Sequence, residues 1–494
     1  MNELKRGDEL QLEIADAAFE GKAIARHQGL VVFIENAVPG DVVIAKLLKI
    51  KKNFAEAKVI RIEHPSPLRV EPRCKYFGIC GGCKWQHVDY QAQLRFKQQQ
   101  VVDSFERIGG FSNLNIFPII GADEIYFYRG KMEYSFAEKQ WLKEKPSAVD
   151  DFRLQIEETK IPIHDPQSPI FLGLHIPQRY DKVLDIDECF LQSIISNQIL
   201  NFTRDFARRN NLDVYNSDRN SGYLRFLVIR ESSAVRNPVQ RDKKTKEVMA
   251  NLVTYEDRPD VMKRYTKELK MNVEQVTTIE NTINSKKAQI AFGEQENIYL
   301  GNGWIQERLG NHNFCISANS FFQTNVAQAE RLYGVVKEFG EFKSQDVVFD
   351  LYSGTGSIAI FISDLVKEVV GIESVESAIR DAEKNAQSNK ITNCHFILGD
   401  LKDRLTKDIS WMSSYPKPDV LIIDPPRSGM HPKVVEEILV MASERIVYVS
   451  CNPATQARDV KLLCAEKYQL VKLQPVDMFP HTFHIENVAL MRLQ

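Results

Sequence analysis

Val420-Leu421-Ile422-Ile423-Asp424-Pro425-Pro426-Arg427 and Ile446-Val447-Tyr448-Val449-Ser450-Cys451-Asn452-Pro453 decide how the chain is read. Each is an apolar run rich in branched side chains that stops at polar residues and proline, the pattern of a buried strand. In a parallel α/β sheet, ligands gather beyond the carboxyl ends of the strands. Asp424 and Cys451 are therefore expected to face one crevice, a carboxylate beside a thiol. A lone cysteine at a strand end ordinarily reads as a packed, inert thiol, but the residues downstream argue otherwise. Pro480-His481-Thr482-Phe483-His484-Ile485-Glu486 sets two histidines and a glutamate just before a last apolar strand, Val488 to Leu493. A thiol with a proton acceptor nearby is the equipment of covalent addition chemistry.

Upstream, Val347-Val348-Phe349-Asp350-Leu351-Tyr352-Ser353-Gly354-Thr355-Gly356-Ser357 predicts a buried strand running through a glycine turn into a helix. A dinucleotide fingerprint wants G-x-G-x-x-G, and the third position here is Ala359. The alternative is a class I methyltransferase, in which the turn passes close under adenosylmethionine and a side chain would collide with it. The next strand, Glu368 to Glu373, ends in an acid able to accept hydrogen bonds from both ribose hydroxyls. Asn393 to Leu398 gives a third strand, with Asp400 at its end placed to approach the adenine. Glu373 is common to both cofactor readings, whereas hydride transfer needs neither Cys451 nor the Asp424 motif. The alternation predicts an α/β, doubly wound sheet.

Asp-Pro-Pro-Arg at 424–427, Ser-Cys-Asn-Pro at 450–453 and His-Thr-x-His-x-Glu at 481–486 together resemble the RNA uracil-5-methyltransferase family. The resemblance implies a class I, S-adenosylmethionine-dependent fold whose last strand is antiparallel. It implies methyl transfer to C5 of a uridine in RNA through a covalent bond between Cys451 and uracil C6. Cys451 is then the nucleophile and Glu486 the base for the C5 proton. Asp424 holds donor and pyrimidine in line, and His481 shapes the pocket. Tyr352, Gly354, Ser357, Glu373 and Asp400 line the cofactor. Gln323, in the stretch Ser317 to Asn325 that leads into a helix Val326 to Phe339, touches cofactor or uracil, with Phe321 packing beside it. The target base has to leave its stack to reach such a crevice. Related cytosine-5 enzymes carry a cysteine after Pro-Pro, where this chain has Arg427. Methylation of exocyclic amines uses Asn/Asp-Pro-Pro-aromatic and would leave Cys451 idle. A non-catalytic RNA-binding or cluster-sensing protein would leave every catalytic position idle.

Residues 1–63 alternate like a small β-barrel, with strands at Leu10 to Ile14, Leu30 to Ile34 and Val42 to Ala45 around a turn at Pro39-Gly40-Asp41. Gly21 to Arg26 and Asn36 to Asp41 resemble the TRAM domain, an OB-like barrel. Lys46, Lys49, Lys51, Lys52, Lys58 and Arg61 stand against Glu56 alone between Val42 and Ile62, enough charge for several phosphate contacts. Cys74, Cys80 and Cys83 follow, spaced C-x5-C-x2-C, and Cys189 is the natural fourth ligand. Four cysteines suit tetrahedral zinc or an iron–sulfur cluster. Zinc usually takes two closely spaced pairs, and the set matches the [4Fe–4S] pattern of the uracil-5-methyltransferase relatives. Radical enzymes that use adenosylmethionine typically carry C-x3-C-x2-C, a shorter first gap.

The expected organisation is a TRAM-like barrel at 1–63, a central β-rich α+β domain with the cysteine motif at 64–320 and a catalytic domain at 321–494. Within the central region, 85–110 predicts a helix stopped by Gly109-Gly110. Tyr223 to Arg230, Met249 to Tyr255 and Val273 to Ile283 predict strands, and the charged stretch Arg236 to Lys246 a mobile loop. Arg129 and Lys131, in Tyr128 to Tyr134, read equally as RNA contacts or as an exposed strand pair, and the family usually has asparagine where this chain has Gly130. With 64 basic against 66 acidic residues the 494-residue chain is no polycation, so its nucleic-acid surface has to be a local patch. Carrying both a TRAM-like barrel and four cysteines favours 23S rRNA over tRNA as substrate, since tRNA-specific relatives generally lack both. No apolar run approaches a membrane span and the N-terminus opens on charged residues, so a monomeric, cytoplasmic protein without membrane contact is expected.

Overall fold

The computed structural model describes residues 4–139, 170–176, 183–236, 247–407 and 409–494. The first six strands, Glu9–Glu13, Asp16–Ala17, Ala23–His27, Leu30–Glu35, Val42–Ile50 and Phe54–His64, form one sheet. Alternate residues turn inward, so Leu12, Val32, Ile34, Val43, Ala45, Leu47, Ala55 and Ala57 make a closed apolar centre. The turn before Val42 is fixed by Asp41, fully buried, which accepts from the amides of Val38 and Ser66 at 2.7 and 2.8 Å. Arg69 donates to the same carboxylate at 2.6 Å, tying the barrel to the segment that follows.

The central sheet has the strand order Gln295–Leu300, Thr278–Ile283, Val248–Thr254, Leu224–Glu231, Lys131–Ala137, Phe171–His175, Val183–Asp185. Helices Ile194–Arg209 and Pro259–Asn272 pack on its apolar face. The strand expected from Val273 begins only at Thr278. Val273 instead closes the second of those helices, its amide donating to the Leu269 carbonyl at 2.8 Å. Its apolar side chain belongs to the helix's buried stripe, which periodicity over so few residues cannot separate from a strand. The charged stretch 236–246 lies, past its first residue, outside the described residues.

The helix expected over 85–110 runs from Tyr90 to Ser104, continues as a wider turn to Gly109 and stops at Gly110, φ 75°. Asp89 caps its start by accepting from the Ala92 amide. Its apolar residues Val101 and Phe105 enter the core of the C-terminal sheet, with Ala457, Val460 and Leu463 of the Pro453–Glu466 helix.

That sheet has the order Cys394–Leu398, Glu368–Glu373, Val347–Leu351, Val420–Ile423, Arg445–Ser450, Glu486–Leu493, Tyr468–Val476. The first five strands are parallel, and Glu486–Leu493 runs antiparallel to both of its neighbours. The chain winds outward on one side of Val347–Leu351 and then on the other, so the switch point lies between that strand and Val420–Ile423. Ligands bind at such a point, beyond the carboxyl ends. Among the described residues no helix is long and apolar enough to cross a membrane.

Candidate active site

The strand Val347–Leu351 is wholly buried and turns sharply at its end, with Tyr352, Gly354 and Gly356 all left-handed at φ 70°, 54° and 70°. The two glycines serve different needs. A Cβ on Gly356 would stand 2.7 Å from the Phe396 ring, so helix and sheet meet only because it has none. A Cβ on Gly354 would meet no protein atom within 4 Å, and its amide donates at 3.0 Å to Glu373. The other Glu373 oxygen accepts from the amides of Ser374 and Val375 at 2.7 and 2.8 Å. Tyr352, Glu373 and Asp400 line one cavity of about 430 Å³, with Gly399, Lys402, Pro426 and Ser428. Asp400 also caps the helix Leu401–Thr406. Ser357 stands at the helix start bonded to the Tyr333 hydroxyl at 2.7 Å, and neither it nor Gln323 lines that cavity.

Asp350, in the same strand, escaped the sequence reading. It is 1% exposed, and neither carboxylate oxygen meets a donor at hydrogen-bonding geometry. Burial first, and then the nearby Asp424 and Glu373, push its pKa up to about 8, against a smaller downward pull from the Ala359 amide.

Cys451 follows the strand Arg445–Ser450, and Glu486 opens the strand beside it. Ser450 pairs with Asn487 and Val449 with Val488, so continuing the ladder by one residue sets Cys451 opposite Glu486. Directly opposite residues share a face of the sheet. Asp424, at the end of the next strand over, faces the same space and is pushed up to about 7 by burial. Burial, and then Asp424, hold the Glu486 carboxyl well above its usual range. Burial and the neighbouring Glu486 lift the Cys451 thiol to about 11, opposed by the positive charge of Arg427. Sequence reasoning took Arg427 as the end of the Asp-Pro-Pro-Arg motif and used it to exclude a second cysteine, without giving it a role in the site. Its carbonyl also accepts from Asn452 and Thr455 at 3.0 and 3.2 Å, knitting the two strand-end motifs together. His481 is buried in a left-handed turn, φ 65°, with its ring stacked on Tyr126 at 4.4 Å. Burial lowers its pKa to about 4, so it is neutral at pH 7.

Cys74, Cys80, Cys83 and Cys189 are all free thiols and line a second cavity, of about 450 Å³, together with Arg129, Lys131, Phe321 and Thr324. Burial above all raises Cys74 to about 11 and Cys80 and Cys83 to about 12, and the charge of Cys189 bears on each of the three. The Gln86 side chain and the Gly82 amide donate to the sulfurs of Cys83 and Cys80 at 3.2 and 3.4 Å. Among the described residues, no three His, Cys, Asp or Glu side chains are gathered closely enough to hold a single metal ion. The expected ligands thus surround one space without converging on a point.

The profile of the tRNA (Uracil-5-)-methyltransferase family matches residues 243–493, and that of the TRAM domain matches residues 3–60. An uncharacterized RNA methyltransferase of Chlorobaculum tepidum is 41% identical over 98% of this chain and 96% of its own. Another, of Porphyromonas gingivalis, is 41% identical over 97% of this chain and 99% of its own. The solved structure of the Pyrococcus abyssi tRNA (uracil-54, C5)-methyltransferase in complex with S-adenosyl-L-homocysteine is similar over 98% of this chain and 100% of that one, with 27% identity and a TM-score of 0.71. The antiparallel strand beside Arg445–Ser450, the filled motifs and these likenesses agree: the chain is an RNA methyltransferase and belongs to the tRNA (uracil-5-)-methyltransferase family, with a TRAM domain at its start.

Proposed function

We propose that this enzyme methylates C5 of a uridine in RNA through a transient bond between Cys451 and uracil C6. The observation that supports the reading is the ladder register, Ser450 against Asn487, which extended by one residue would put Cys451 opposite Glu486. S-adenosylmethionine supplies an electrophilic methyl group, and the P. abyssi relative holds the demethylated product of that cofactor. Tyr352, Gly354, Glu373 and Asp400 are the residues assigned to it, with Glu373 assigned to the ribose; Ser357, Gln323 and Asp424 are assigned to it by the resemblance alone, since none of the three lines the cavity.

The Cys451 sulfur forms a bond to C6, and the displaced electron pair makes C5 an enolate carbon. C5 takes the methyl group as the donor's sulfur–methyl bond breaks. Glu486 then removes the C5 proton, the electrons of that bond restore C5=C6, and the Cys451 thiolate leaves. A base with a raised pKa is matched to this task. Arg427 stabilises the thiolate at the start and the end. Incubation with RNA containing 5-fluorouracil tests the scheme, because fluorine at C5 cannot be removed as a proton. A stable adduct on Cys451 is expected, and normal turnover by Cys451→Ala would exclude the covalent route.

The TRAM domain is assigned to RNA binding. Lys46 and Lys58 lie directly opposite each other on paired strands, an arrangement that is unfavourable until an anion approaches. The four cysteines are assigned to a [4Fe–4S] cluster. A zinc ion would hold four sulfurs within about 2.3 Å of one point, whereas donors spread around a cavity suit a group of several atoms. Large-subunit rRNA is the substrate favoured by the domain combination. A tRNA reading has support of its own, since the P. abyssi tRNA enzyme matches nearly this whole chain. Mapping 5-methyluridine in rRNA and tRNA with and without the protein separates the two.

A further inference from the structure

We propose that Gln93, Lys97 and Asp477 are positioning residues for this reaction, clamping the turn that delivers Glu486 to the nucleophile. The inference rests on the covalent reading of Cys451 and Glu486. Residues 477–485 join the strand Tyr468–Val476 to Glu486–Leu493, and Glu486 pairs with Val476 at the foot of this connection.

The first half of the connection is held residue by residue from outside. The Asp477 carbonyl accepts from Gln328 at 2.8 Å, that of Met478 from Asn325 at 3.0 Å and that of Phe479 from Lys97 at 3.1 Å. The Pro480 carbonyl accepts from the Tyr128 hydroxyl at 3.1 Å. The His481 carbonyl accepts from the amides of Lys84 and Trp85, directly after the cysteine motif, at 2.9 and 3.0 Å. Gln93 accepts from the His481 amide at 2.9 Å and donates to the carbonyls of Trp85 and Val88 at 3.0 and 2.9 Å. Beneath the turn, Lys97 Nζ lies 2.6 Å from Asp477 Oδ1 with both side chains at 0% exposure. Tyr90 donates to the other oxygen at 2.8 Å.

Two physical points argue that this network serves geometry. His481 occupies a left-handed conformation, uncommon for a residue with a side chain, and here it is buried and held by Gln93 at its amide. A fully buried ion pair adds little net stability over apolar residues of the same volume, but it tolerates only one arrangement. Both sit between the helix Tyr90–Ser104 and the turn, and neither touches the reacting atoms.

Gln93→Met, and the neutral double variant Lys97→Met/Asp477→Asn, test the clamp. If it positions Glu486, folded variants bind S-adenosylhomocysteine and form the Cys451 adduct with 5-fluorouracil RNA as the wild type does. On ordinary RNA their turnover falls about tenfold or more, and methylated RNA stays covalently attached to Cys451 because the C5 proton is not removed. Unchanged turnover, a loss of turnover without trapped methylated RNA, or failure of both variants to fold would overturn the proposal. Absence of any Cys451 adduct in the wild type would overturn the covalent reading, and the clamp with it.

Discussion

The Arg427 guanidinium lies 3.1 Å from His484 Nδ1, and its positive charge also bears on the Cys451 thiol. Burial is the larger influence on both neighbours, and the one cation adds to it at His484, keeping the imidazole neutral, while opposing it at Cys451, easing the thiol toward thiolate. Arg427→Met removes the influence that lowers the thiol pKa, which then rises further above about 11. Each unit of rise cuts the thiolate fraction about tenfold at fixed pH. Adduct formation with 5-fluorouracil RNA is therefore expected to slow by about that factor near neutral pH and to recover as pH is raised. Rates measured across the pH range check this.

Glu486→Gln keeps the shape of the base and abolishes its function. Removal of a general base typically costs about 10²–10⁴-fold in rate. Turnover is expected to fall by that amount, with methylated RNA trapped on Cys451 and visible as a slow band on a denaturing gel.

Asp350 and Asp424 make stability depend on pH in an unusual direction. Their folded pKa values, about 8 and about 7, lie above the ordinary carboxylate value, so both take up protons on folding. Stability from these groups is present in full below about pH 4 and is lost as pH rises through their folded values. Asp350→Asn removes the larger of these losses. Its melting temperature should exceed that of the wild type by several degrees at pH 8.5, and the advantage should vanish near pH 4.

If the four cysteines hold a [4Fe–4S] cluster, anaerobically purified protein should contain about four iron and four sulfide per chain, and Cys189→Ala should lose both. One zinc and no sulfide would replace the cluster by the rival metal.

Lys46, Lys49, Lys51, Lys52, Lys58 and Arg61 are expected to contact phosphates. Each contact removed by substitution to alanine should flatten the plot of log binding constant against log salt by about 0.7 for a single-stranded RNA. A slope unchanged by triple substitution at 49, 51 and 52 would move RNA binding elsewhere.

The parts of the site that contiguous residues encode are legible in the amino-acid sequence. Cys451, Asp424 and Glu373 each stand at the end of an apolar run, and a run that stops marks a strand's carboxyl end. Glu486 is marked by its motif, but only the ladder, which ends with Ser450 against Asn487, brings the start of its strand beside Cys451. The clamp is not legible there, because Lys97 and Asp477 are 380 positions apart and a lysine within a glutamine-rich helix looks solvated. The early start assigned to the helix at 85 fails for a related reason. The amides of Lys84 and Trp85 are engaged by His481, a partner that local periodicity does not reveal.

The antiparallel pairing of Arg445–Ser450 with Glu486–Leu493 has a consequence for how this protein can diverge. Side chains on a strand alternate faces, so inserting or deleting one residue at the start of the final strand would turn the carboxylate to the far side of the sheet. The connection 477–485 can change in sequence and even in length, provided the phase of the strand after it is kept. Descendants of this chain are therefore free to redraw the loop and bound to preserve a parity.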